Sequence, residues 1–182
     1  MAFIRRKSSD MVKAPIVSEG QFSAEQVRSK ARELGIGVSP LDVQALTKAL
    51  GIDFLCVPMD DDISGSLTAY PDRQGWVMKV NSLHHPNRQR FTIAHELGHY
   101  FKHRNAQVEF VDQNFFRNSE SNWMEAEANS FAGELLMPEA EFREKVRVLG
   151  GSIEDVAQSF SVSTFAVRVR AKILGMKGHG LE

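Results

Sequence analysis

Residues 91–103 read FTIAHELGHYFKH, and the rest of the chain is organised around them. Phe91, Ile93, Ala94, Leu97, Gly98 and Phe101 predict a helix apolar enough to sit in a core. Inside it, His95-Glu96-Leu97-Gly98-His99 spells H-E-x-x-H. Residues four apart on a helix return to nearly the same face, about 6 Å further along the axis. Both imidazoles can therefore reach one zinc ion at roughly 2.0–2.1 Å. Glu96 is turned about 100° from His95, where it can take a proton from a water beside the ion. Two histidines and a carboxylate buried in an apolar helix are costly without such a partner. The pattern therefore predicts a zinc peptidase with ligands His95 and His99 and general base Glu96.

A catalytic zinc site takes three protein ligands and leaves a position open. His103 follows His99 by four residues but lies about 12 Å along a continuous helix from His95. It is expected near the site at the helix end, not on the ion. The HExxHxxGxxH pattern breaks its helix with a glycine; here Lys102 occupies that position and Asn105 that of the last histidine. Residues 123–138, WMEAEANSFAGELLMP, predict a second helix with Ala126, Ala128, Phe131, Ala132, Leu135 and Leu136 as its apolar stripe. Its early acids are Glu125 and Glu127. In thermolysin-like sites the third ligand is a glutamate on a second helix, and an Asp or Asn four residues later hydrogen-bonds the first histidine. Glu125-x-x-x-Asn129 matches that spacing, whereas Glu127 has Phe131 at the equivalent place. The likeness favours Glu125 as ligand and Asn129 as the residue orienting a histidine. Glu127 remains the alternative; otherwise its role is to favour the helix N-terminal dipole.

HELGHYFKH followed by EAEANSFAGELLMP closely resembles the ImmA/IrrE family of bacterial and phage metallopeptidases, over about residues 20–175. The resemblance implies an intracellular zinc endopeptidase. It also implies a protein substrate: a helix-turn-helix repressor whose cleavage after stress releases silenced genes, in mobile elements or toxin–antitoxin-like pairs. Spacing alone points only to metal and hydrolysis.

A chain of 182 residues is long enough for one domain with a substantial core. A net charge of −1 gives no general attraction to nucleic acid. The single cysteine, Cys56, rules out an internal disulfide framework; its apolar surroundings over 52–57 predict a buried, inert thiol. No stretch has the length of a signal peptide or a membrane span, so a cytoplasmic protein without membrane contact is expected.

The fold class expected is α+β: a small three-stranded antiparallel sheet on a zincin-type helical core, with C-terminal helix-turn-helix-like helices. Residues 1–20 form a flexible or variable arm, 21–149 the zinc peptidase core, 150–176 the C-terminal helices and 177–182 a tail. A helix over 23–34 is capped by Ser23 with Gln26, and one over 39–50 begins with Ser39 as N-cap and Pro40 at its first position. Strands follow at 52–57, 63–70 and 76–81. Zinc peptidases commonly bind substrate as an added strand; Ser64-Gly65-Ser66 is the candidate edge. His84 and His85 lie in the loop before the motif helix and can reach the cleft. Arg88 and Arg90 are expected at the surface. Residues 104–122, with Phe110, Phe115 and Phe116, read as a long loop near the site. Tyr70, Tyr100, His84, His85 and His103 are candidate donors to the substrate or the developing oxyanion.

Helices are expected near 139–149, 153–160 and 163–174. The last two resemble a helix-turn-helix in which Ala157, Val162, Val167 and Val169 pack the junction and Arg168, Arg170 and Lys172 face phosphates if DNA binds. Packing, or docking of a protein, is the favoured use. Two rivals to the protease are a DNA-binding regulator with a structural or vestigial zinc, and a binding protein that holds a partner without cutting it.

Overall fold

The computed structural model describes residues 22–71, 74–113 and 123–176. The expected arm over 1–20 and tail over 177–182 lie outside them, as do Phe115 and Phe116. In chain order the elements are α1 (Ala24–Glu33), α2 (Val43–Ala49), β1 (Ile52–Val57), β2 (Ile63–Ala69), β3 (Trp76–Asn81), α3 (Pro86–Lys102), β4 (Glu109–Gln113), α4 (Trp123–Leu136), α5 (Glu139–Val148), α6 (Ile153–Phe160) and α7 (Thr164–Ile173).

The motif helix α3 is the centre. It starts before the motif: His85 is its N-cap, accepting at Nδ1 from the Asn87 N–H, and Pro86 takes the first helical position. Every residue from Thr92 to Phe101 is buried. A helix buried all round needs cover on all sides; the sheet lies on one side and α4 on another. Gly98 sets the second approach. A Cβ there would stand 2.9 Å from Ala128 Cα and 3.0 Å from Ala128 O, so only glycine lets α4 come this close. Gly65 does the same for the sheet: a Cβ would stand 2.5 Å from Thr92 Cγ2.

Among the described residues the sheet has four strands in the order β1-β3-β2-β4 and is mixed, not three-stranded and antiparallel. β2 pairs antiparallel with β3 and with β4, while β1 runs parallel to β3. Buried Asn81, at the end of β3, explains the parallel pair. Its Nδ2 donates to the carbonyls of Met59, Asp60 and Ile63. These bonds hold the β1–β2 connection across the end of β3, so β1 and β2 flank it on opposite sides. The fourth strand comes from the stretch read as loop. Phe110 and Asp112 point inward and Val111 outward, a period of two too short and too polar to register in the sequence. It makes β2 an interior strand, so Ser64-Gly65-Ser66 is not the edge; β1 and β4 are.

Ser23 and Gln26 form the expected capping box of α1. α2 begins later than expected: Asp42 is its N-cap, accepting from the Ala45 N–H, and Ser39-Pro40, a cis peptide, precedes it in a turn. The Asp42 side chain, closer to the apolar run, wins the capping position. Cys56 is exposed, since β1 is an edge strand whose pattern leaves Leu55 and Cys56 in solvent. Arg90 is partly buried, because the extra helical turn before the motif carries it inward. Near the C-terminus, Ser161 adopts the left-handed conformation, φ 53°, at the α6–α7 turn where glycine is the usual occupant. Arg170 is buried and its Nε donates to Met137 O, tying α7 to the end of α4; it is not a phosphate contact. Among the described residues no helix is long and apolar enough to cross a membrane.

Candidate active site

Gly98 and Ala128 bring the first turn of α4 against the middle of α3, and this places Glu125 beside the two motif histidines. His95 Nε2 and His99 Nε2 are 3.0 Å apart. Glu125 Oε2 lies 3.2 Å from the first and Glu125 Oε1 3.3 Å from the second. Donors at roughly 2.0–2.1 Å from one tetrahedral ion stand about 3.3 Å from each other. The three side chains therefore fit a single ion, and two imidazoles with a carboxylate suit zinc. Asn129 Oδ1 is 3.1 Å from His95 Nδ1, the remote nitrogen, one turn after Glu125.

Glu96 is fully buried, and neither of its carboxylate oxygens has a hydrogen-bond partner among the described residues. Burial raises its pKa well above the usual carboxylate range, and Asp112 and Glu125 add to the rise. Burial would also raise Glu125, but hydrogen bonds from His95 and His99 outweigh it and hold this carboxyl far below its ordinary value. Burial lowers His99, against the opposing pull of Glu125. An ionised carboxylate and a neutral imidazole are the forms that bind a metal.

Three features escaped the sequence reading. Asp112, on β4, is buried, its Oδ2 has no hydrogen-bond partner among the described residues, and burial together with Glu125 pushes its pKa up to about 7 against Arg88. Nothing in the sequence marks it. The Phe110 ring stacks on His99, centroids 4.5 Å apart at 18°. Glu127 does more than face a helix dipole: its Oε2 is 3.0 Å from His103 Nε2, and His103 Nδ1 is 3.1 Å from His99 Nδ1. His103 thus touches a site histidine on the side away from the other donors. The Gly inside a helical motif was the one available signal of close packing.

The other expected donors are not brought to this centre. Tyr70 bonds through its hydroxyl to Asp53 Oδ2 across the sheet. Tyr100 packs edge-on against Trp76, with the Arg104 guanidinium over its ring. His85 caps α3, about 15 Å along the helix from His95, and His84 lies in the loop just before it, where burial and Arg88 lower its pKa.

A cleft of about 700 Å³ adjoins the site. Asn129 and Ala126 line it on α4, Phe91 on α3, and Phe165, Val169 and Ile173 on α7. These last three are substantially exposed and recur every fourth residue along one side of α7.

The family described as the IrrE N-terminal-like domain, a peptidase family, matches residues 47–172. No curated relative matches this chain. A solved structure titled "Mycobacterium tuberculosis transcriptional regulator" superposes with a TM-score of 0.57 at 20% identity, covering 82% of this chain. The chain spans 46% of that structure's own length, and at this identity the likeness is one of fold.

Proposed function

The chain belongs to the IrrE N-terminal-like peptidase family, and on that premise we propose that it is a zinc-dependent endopeptidase acting on a regulatory protein. The substrate is a helix-turn-helix transcriptional repressor in a stress-response, mobile-element or toxin–antitoxin-like system. One observation carries the reading: three donors at tetrahedral spacing beside a buried carboxylate that has no hydrogen-bond partner among the described residues. A structural metal site has no use for that carboxylate.

His95 and His99, each through Nε2, and Glu125 through its carboxylate would hold the ion. When bound, zinc supplies Lewis-acid polarisation of a peptide carbonyl and makes an adjacent water more acidic. Glu96 accepts a proton from the attacking water at a carboxylate oxygen and delivers it to the leaving nitrogen. Burial, with Asp112 and Glu125, raises its pKa, so it holds a transferred proton more firmly than a solvated carboxylate does. Asn129 keeps the His95 ring turned towards the other donors.

Two features support a polypeptide substrate. β4 is a sheet edge that carries Phe110 against His99 and Asp112 near Glu96, so a substrate strand added there lies beside the centre. The adjoining apolar cleft suits an apolar segment of the same protein. Duplex recognition is less well supported, because α7 presents Phe165, Val169 and Ile173 and buries Arg170.

The test is metal content of the wild type, His95→Ala and Glu96→Gln, followed by incubation with the repressor encoded beside the gene. Wild type and Glu96→Gln should each carry about one zinc and His95→Ala none. Fragments should appear for wild type, with cleavage by Glu96→Gln slower by ~10²–10⁴-fold. Undiminished proteolysis by Glu96→Gln refutes the role of the base. Zinc with a stable complex and no fragments points to a non-cleaving binding protein.

A further inference from the structure

We propose that His103 and Glu127 are positioning residues that fix the tautomer and the ring orientation of His99; this rests on the metal reading of the site. His99 turns Nε2 towards His95 Nε2 at 3.0 Å and Glu125 Oε1 at 3.3 Å. Binding through Nε2 leaves the ring proton on Nδ1. That N–H faces His103 Nδ1 at 3.1 Å, so His103 Nδ1 must be the bare nitrogen. A neutral His103 then carries its proton on Nε2, 3.0 Å from Glu127 Oε2, which accepts it. One arrangement of protons satisfies both contacts and leaves His99 Nε2 bare: His99 Nδ1–H donates to His103, and His103 Nε2–H donates to Glu127. A doubly protonated His103 would set two N–H groups against each other.

The surroundings suit this assignment. His103 is 1% exposed. Trp123 meets its ring edge-on at 5.3 Å. Glu127 is about one-third exposed, with Lys102 Nζ 3.9 Å from its other oxygen. The two histidines are therefore held by different means. His95 uses the obligate acceptor of an amide, Asn129. His99 uses a relay whose last carboxylate reaches the surface of α4.

Two experiments with the full chain decide it. In the zinc-loaded wild type, long-range ¹⁵N–¹H spectra should show His99 protonated on Nδ1 only and His103 on Nε2 only. A His103 proton on Nδ1, or on both nitrogens, overturns the relay. Zinc affinity is then read by competition with a chromophoric chelator. His103→Phe keeps an aromatic ring beside Trp123 but removes the acceptor, and should bind zinc ~10–100-fold more weakly. His103→Asn loses the ring but offers an oxygen near the place of Nδ1, and should recover most of the affinity. Wild-type affinity in His103→Phe, or equal losses in both variants, overturns the proposal while leaving the metal site standing. If His95→Ala binds zinc as the wild type does, the metal reading itself fails and the relay with it.

Discussion

Asp112 carries a pH dependence that the fold itself creates. Its carboxyl is buried between the sheet and the motif helix and holds its proton up to about pH 7, against an ordinary value of 3.8. Between these values the folded metal-free protein keeps a proton that the unfolded chain has lost. Stability therefore falls as pH rises through this window, and below it the group contributes nothing. Asp112→Asn removes the penalty. In urea unfolding of the metal-free protein, the variant should match wild type at about pH 4 and exceed it above about pH 7, by up to ~4 kcal/mol. An equal difference at both ends would assign the effect to packing instead. The motif residues His95, Glu96 and His99 were legible in the sequence because their spacing alone puts them on one helix. Asp112 was not, because it reaches the site only through the pairing of β4 with β2.

At the scale of elements, the site depends on how closely α3 and α4 approach. Gly98→Ala drives a methyl into the Ala128 backbone. The variant should lose about 1–3 kcal/mol of stability and bind zinc more weakly, because α4 carries Glu125 away from the histidines. Gly133→Ala is the control. A Cβ there meets only Arg170 Cδ at 3.9 Å, and removing a glycine from a helix should stabilise by roughly 0.5–1 kcal/mol with unchanged zinc binding. Thermal melts and zinc titration of the two variants check both; similar behaviour would mean that helix propensity, not close approach, governs Gly98. Helices α1 and α3 to α7 were visible as apolar periodicity and capping residues. The start of α2 is later than expected because two capping signals, Ser39 and Asp42, compete within four residues, and Asp42, closer to the apolar run, takes the cap.

Over the whole molecule, a metal held by His95, His99 and Glu125 would link α3 to α4, which are separated by a strand and a connection. Metal that binds only the folded state stabilises it by mass action, about 4 kcal/mol at a thousandfold excess over Kd. Chelation should therefore lower the thermal midpoint of wild type and leave that of His95→Ala unmoved; a shift in both would place the effect of the chelator elsewhere. The family resemblance and the α+β class also lay in the sequence, and the likeness to thermolysin-like sites favoured Glu125, which the structure places beside His95 and His99. These are properties of segments, where helix geometry converts spacing into direction without further information. Strand order, the parallel β1–β3 pair, the sheet edges and the contact of His103 with Glu127 were decided only in three dimensions. Each depends on which distant segments meet, and hydrogen-bonding partners such as Asn81 with the 59–63 connection are chosen by packing that no local pattern encodes.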